Sequence, residues 1–176
     1  MAQQPQRKEA PRGEEQSSPR PAASHPTAAS AASAANAAPA HPEPDERIVL
    51  IDGSNVAHSS EGEKPRLANI LVVADKLREE GMEPIIVADA ALRHQIDDRG
   101  AYEKLVDDGK IKQAPAGTDA DYFILSFARE LGASVLSNDR YRDRIAKYPE
   151  VEDRIIRYMI VADEVVLERR TKRRKD

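Results

Sequence analysis

The run RIVLID, Arg47 to Asp52, is a short apolar stretch that ends abruptly on an aspartate and is followed by Gly-Ser-Asn. A run of that length, flanked by a turn signal, reads as a buried parallel strand whose C-terminal end meets a loop. The pattern recurs. Glu83 to Asp89 is a second strand that again ends near an aspartate, Ile111 to Ala114 a brief third, and Ser134 to Ser137 a fourth. Between them lie helical stripes. Leu67, Ile70, Leu71, Val73, Ala74 and Leu77 share a face in a segment that opens at Pro65 and stops at Gly81. Leu92 to Val106 is helical in parts, with Gly100 as a break. Asp119 to Leu131 is a helix ended by Gly132, and Asp139 to Lys147 a short one. Arg157 to Glu168 reads as one or two final strands around Ala162-Asp163. Strands alternating with helices imply a mostly parallel central sheet flanked by helices, an α/β fold. Ligands of such sheets sit beyond the carboxyl ends of the strands.

The chain around this body is uneven. Residues 1–45 are rich in Ala, Pro, Ser and Gln and cannot bury enough apolar surface to offset their ordering entropy, so a disordered tail is expected. They lack the compact apolar run of a signal peptide, and no window approaches the roughly 18 apolar residues of a membrane span. A cytoplasmic protein with no membrane partner is expected. The 176 residues include no cysteine, which removes disulfides, thiolate metal sites and cysteine nucleophiles. The four histidines are scattered, so zinc is not expected. Residues 169–176, RRTKRRKD, carry +5, residues 1–45 carry −1, and the body 46–168 therefore carries −8 of the chain's −4. The basic tail is either a frayed terminus or a source of salt-dependent contacts to nucleic acid.

The strand-end rule puts Asp52, Asn138 and Asp139 on the functional rim. Asp119 and Asp121 open a helix that faces the same rim, and Asp143 follows Asp139 by four residues, which on a helix would share its face. Carboxylates that converge repel unless they are protonated or hold a cation. A hard divalent ion with oxygen ligands resolves this, since magnesium keeps several waters and takes only one or two carboxylates directly. Each residue also has a plainer use. Asp52 could be a turn residue, Asp121 could serve the helix dipole, and Asp119 or Asp139 could cap a helix. Asp143 could pair with Arg140 or Lys147, Asp89 could merely turn the chain, and Ser54 and Asn55 could satisfy turn backbone. The sequence holds no phosphate-binding Gly-rich loop of either common kind, and Ser54 stands where a haloacid-dehalogenase phosphatase would need its second aspartate.

Three segments taken in order, VLIDGSN (Val49 to Asn55), TDADYFIL (Thr118 to Leu125) and VLSNDRYRD (Val135 to Asp143), resemble the NYN domain of the PIN-like superfamily. The branch they are most similar to is the Regnase-type endoribonuclease domain. The resemblance covers about 120 residues and implies a three-layer PIN-like fold and a magnesium- or manganese-dependent endonuclease acting on single-stranded RNA. It carries the acidic centre onto Asp52, Asp121, Asp139 and Asp143, with Asp119 as a further ligand or a cap. Asn55 is implied beside the first aspartate. Ser54, Ser137 and Asn138 are the expected polar contacts, and Arg93, Arg140 and Arg142 the expected basic contacts to RNA. The CCCH zinc finger of eukaryotic members is missing from this cysteine-free chain, so RNA must be held by the domain, the basic tail, a homodimer or a partner. Two other readings stay open: an RNA-binding regulator with little or no activity, and a metal-dependent phosphatase or nucleotidase.

Overall fold

The computed structural model describes residues 42–59 and 64–168. The expected tails, 1–45 up to residue 41 and 169–176, lie outside the described residues. The body is built on a six-stranded sheet of β1 (Ile48–Asp52), β2 (Glu83–Ala88), β3 (Ile111–Gln113), β4 (Ser134–Leu136), β5 (Ile155–Val161) and β6 (Glu164–Glu168). Their spatial order is β3-β2-β1-β4-β5-β6. All neighbours run parallel except β6, which folds back on β5. Ala162 and Asp163 both take positive φ, 49° and 63°, as a tight two-residue hairpin of the primed type requires.

Helices cover both faces, as the side-chain alternation of β1 dictates. Val49 and Ile51 point to one side, with α1 (Gly53–Ala57) and α2 (Leu67–Glu79), in a core that includes Val56, Ile70, Val73 and Leu77. Leu50 points to the other side, with Val87, Val135, Tyr141, Tyr148 and the inner face of α4 (Ala120–Leu131), namely Ile124, Leu125 and Ala128. Val49, Leu50 and Ile51 are all fully buried, which is why this strand is a continuous apolar run rather than an alternating one. Helices on both faces of a mostly parallel sheet make the three-layer α/β fold that was expected.

Two glycines have conformational reasons. A side chain on Gly53 would stand 3.0 Å from the carbonyl of Val87. Gly132 closes α4 with φ 64°, and a Cβ there would lie 2.6 Å from the carbonyl of Glu43.

Three expectations need correction. Pro65 does not sit in the first turn of α2. It lies ahead of the helix, and the first amide of α2, Leu67 N–H, is taken by Oδ1 of Asp97 at 2.9 Å. Gly100 does not break a helix but lies inside α3 (Arg99–Asp107), which Asp98 caps. A separate short 3-10 helix, Ala90–His94, precedes it. Asp139 to Lys147 is not a helix. It is a loop pinned by the buried Tyr141 at φ 46°, followed by a single 3-10 turn, Ile145–Lys147, and then by α5 (Pro149–Glu152).

Candidate active site

The chain leaves β1 toward β2 and β3, then returns through α4 to lay β4 on the other side of β1. The strand order reverses between β1 and β4, and at such a switch point the loops diverge and leave a crevice. Asp52, the last residue of β1, stands at its floor. Ser137 and the loop Asn138–Tyr141 follow β4 directly beside it.

Asp52 is 8% exposed. It caps the short α1, its Oδ1 accepting the amide of Asn55 at 3.1 Å. Its Oδ2 accepts the Ser137 hydroxyl and the Tyr141 hydroxyl, each at 2.9 Å. Burial pushes the Asp52 carboxyl above its usual range; the three donors pull it back, and the charge of Asp139 raises it further. One side chain thus both caps α1 and gathers two hydroxyl donors at the strand end.

Asp121 lies in the first turn of α4 and is half-buried. Its carboxyl is also raised, first by desolvation and then by the charges of Asp139 and Asp52. Asp139 is exposed and folds back on its own loop, Oδ1 accepting the Tyr141 amide at 2.7 Å. Its own amide donates to Ser137 Oγ at 3.0 Å. Three carboxylates therefore feel one another across the crevice, stepping from buried Asp52 to exposed Asp139. Among the described residues, no Lys or Arg forms an ion pair with any of them. Nor do three His, Asp or Glu side chains among those residues stand close enough to enclose one ion directly.

The remaining predicted residues divide. Asp119 caps α4, accepting the Tyr122 amide at 3.1 Å, and pairs with Arg144. Of its two expected uses the structure therefore displays the cap, together with an ion pair the sequence did not suggest. Asp143 is exposed, and the helix that would have set it four residues behind Asp139 on one face is absent. Among the described residues it pairs with neither Arg140 nor Lys147, and its charge is not among those that shift Asp52 or Asp121.

Several of the expected substrate contacts are hydrogen-bonded within the framework of the site. Ser137 is fully buried, its hydroxyl donating to Asp52 and accepting the Asp139 amide. Asn138 uses both ends of its amide on the backbone of Tyr158, donating to its carbonyl at 2.9 Å and accepting its N–H at 3.2 Å. Asn55 Oδ1 accepts the Asn138 amide and the Tyr158 hydroxyl, both at 2.9 Å, so it ties α1 to the β4 loop and β5. Ser54 Oγ accepts the amide of Asp89, joining the ends of β1 and β2. Arg93, on the 3-10 helix after β2, pairs with Glu103, which Arg99 also engages. Arg140 and Arg142 are exposed in the loop that follows Asp139.

Tyr141 and Tyr158 are the residues that sequence reasoning passed over. The Tyr141 hydroxyl titrates well above its usual range and that of Tyr158 is pushed up to about 12, both chiefly by burial. Each therefore remains a proton donor to its acceptor. Tyr141 lies inside the motif VLSNDRYRD, the one signal in the sequence that points to it.

The family described as Zc3h12a-like Ribonuclease NYN domain matches residues 45–176. The chain belongs to that family. Among curated proteins, this NYN domain is 26% identical over 133 residues to the "Uncharacterized protein MJ1085" of Methanocaldococcus jannaschii, covering 72% of this chain and 26% of that protein. Among solved structures it is similar to the nuclear proteinaceous RNase P 2 (PRORP2) of Arabidopsis thaliana. The TM-score is 0.58 at 21% identity, over 70% of this chain and 30% of the other. A second structure of that protein gives 0.57 at 21% identity, over 71% and 30%. The NYN domain thus spans less than a third of the length of each of these relatives, and the likeness to PRORP2 is one of fold. No helix among the described residues is long and apolar enough to cross a membrane.

Proposed function

We propose that this NYN domain hydrolyses internal phosphodiester bonds of single-stranded RNA with the help of magnesium or manganese, through Asp52, Asp121 and Asp139. One observation carries the reading: at the sheet's switch point the charge of Asp139 raises the proton affinity of both Asp52 and Asp121, and among the described residues no Lys or Arg forms an ion pair with any of the three. A pure binding module has no use for that repulsion, and a polyanionic substrate would worsen it.

The donor set fits a hard divalent ion. Asp52 Oδ1 accepts a single hydrogen bond, Asp139 Oδ2 accepts none, and Asp121 carries no hydrogen bond among the described residues. With too few groups to enclose an ion directly, the fit is to magnesium held by one or two carboxylates, with the others reached through its waters. Bound there, the ion supplies positive charge for the phosphate and a water of lowered pKa. The chain does the rest. Ser137, Tyr141 and the Asn55 amide hold the Asp52 carboxylate in one orientation. Asp121, with its raised proton affinity and half-exposed position, is suited to take the proton of the attacking water as the P–O bond to the leaving ribose oxygen breaks.

The test uses a circular single-stranded RNA, which offers no ends. The expected result is linearisation by the wild-type chain with magnesium or manganese, none with chelator, and none by a folded Asp52→Asn variant. Cleavage by Asp52→Asn at the wild-type rate would sink the proposal. Release of phosphate from a nucleoside monophosphate, with the RNA circle left intact, would favour the phosphatase alternative.

A further inference from the structure

Behind the acidic crevice, on the same side of the sheet as α4 and α5, lies an open cavity of about 340 Å3 lined by Arg140, Arg142, Ile145, Glu152, Ile155 and Arg157. Three of its six lining residues are arginines in a body whose net charge is strongly negative. Arg140 and Arg142 flank Tyr141, whose side chain turns into the core, so the loop presents its two neighbours outward. Among the described residues neither arginine has an ion pair or a hydrogen bond. Arg157 forms the wall between cavity and crevice. Its Nη1 donates to the carbonyls of Ser137 at 2.8 Å and Asp139 at 2.6 Å, the latter the residue that carries the site's exposed carboxylate. Ile155 and Ile145 give the cavity an apolar side.

An exposed surface arginine with an acid beside it is common and needs no ligand. Two that form no ion pair among the described residues, although Glu152 lines the same concavity, and that stand one residue and three residues beyond a site carboxylate, are a different matter. Guanidinium groups are planar, permanently charged and matched to phosphate oxygens, and they are less strongly hydrated than lysine. The apolar side suits a ribose or a base face. An ion alone can bridge one phosphate to the acidic crevice, but the neighbouring phosphates of a strand would meet only negative charge there.

We infer that this cavity is the subsite that holds the backbone of single-stranded RNA next to the bond cut, with Arg140 and Arg142 on a flanking phosphate and Arg157 fixing the loop that joins subsite to site. The inference rests on the ribonuclease reading for its ligand, and binding is measured separately from cleavage so that the two stand or fall independently.

The experiment follows a 5′-labelled single-stranded oligoribonucleotide by fluorescence anisotropy over a series of salt concentrations, using full-length Asp52→Asn protein so that no cleavage intervenes. The same chain with Arg140→Ala and Arg142→Ala added is compared with one carrying Arg78→Ala, a change on the far-side helix α2 that removes a charge paired with Asp75. The expected result is an affinity loss of at least about tenfold for the double arginine variant, with the log–log salt slope shallower by roughly 0.7, the value for one lost phosphate contact on a single strand. The Arg78→Ala chain should bind like its parent. Unchanged affinity and slope in the double variant overturn the subsite, as does an equal loss from Arg78→Ala, which would mean that any positive charge serves. If the subsite fails while wild-type protein still opens circular RNA, the ribonuclease reading survives alone. If the arginines matter for binding but no RNA is ever cut, the subsite survives alone. Both exposed arginines leave the core untouched, and a thermal melt of each variant verifies this.

Discussion

The hydroxyl of Tyr141 donates to Oδ2 of Asp52 at 2.9 Å from a residue held at φ 46° and almost wholly buried. This bond ties a loop bearing Asp139 and two arginines directly to the carboxylate at the floor of the site. The bond also lowers the proton affinity of a carboxyl that burial raises. Tyr141→Phe should therefore move the acidic limb of the pH–rate profile to higher pH. It should also destabilise the fold by about 1.5–3 kcal/mol, the range for a hydrogen bond to a charged group. A profile that keeps its position while activity falls would mean that Tyr141 merely packs.

Asp121 should behave in the opposite sense to a salt-bridged acid. Its folded carboxyl is raised, so over the window from its ordinary value of 3.8 up to its folded value the native state binds more protons than the unfolded state. Its contribution to stability thus falls as pH rises through that window. In chelator at neutral pH, Asp121→Asn should melt higher than wild type. Magnesium should raise the melting temperature of wild type more than that of the variant, because an ion that binds only the native state stabilises it by mass action. Equal magnesium shifts in the two proteins would remove Asp121 from the ion's surroundings.

Asp119 joins two segments. It caps α4, whose first turn carries Asp121, and it pairs with Arg144 beyond the Tyr141 loop. Asp119→Ala should cost about 0.5–2 kcal/mol through loss of the cap. Asp119→Ser should restore most of the stability measured by chemical denaturation. If the ion pair also aligns the loop, the Ser variant will recover stability while RNA cleavage stays depressed. Full recovery of both would confine Asp119 to capping.

Asp143 should matter less than the other three carboxylates. It is exposed, and its charge is not among those that shift Asp52 or Asp121. Asp143→Asn is expected to reduce the initial rate of RNA cleavage less than about tenfold, whereas Asp121→Asn should reduce it at least about a hundredfold, the lower end of the effect of a general base. Equal losses would return Asp143 to the centre.

Gly132→Ala tests the frame rather than the chemistry. The left-handed φ of 64° and the Glu43 carbonyl 2.6 Å from the added Cβ both oppose a side chain. A loss of at least about 1 kcal/mol is expected in denaturant unfolding.

The order of strands and helices was legible in the sequence, because burial on both faces makes β1 a continuous apolar run and amphipathic packing gives α2 and α4 their stripes. So were the ends of α4, where Asp119 and Gly132 carry local signals that need no tertiary contact. The strand-end aspartate Asp52 was legible for a related reason: a charged group abutting a buried strand is costly without a task. The Asp139–Lys147 segment was not. Its charges fall at helical spacing, but Tyr141 gains more by burying its ring against α4 and donating to Asp52, and this forces the backbone into a left-handed turn no helix admits. The fates of Asn55, Ser137 and Asn138 were equally out of reach. Polar residues next to a reactive carboxylate look like substrate contacts in one dimension. Only the pairing of β1 with β4, and β4 with β5, brings up the partners that consume their hydrogen bonds. Local periodicity and capping thus settled which elements form and which acid ends β1. Contacts between residues about 20 to 100 positions apart decided which side chains remain free to act.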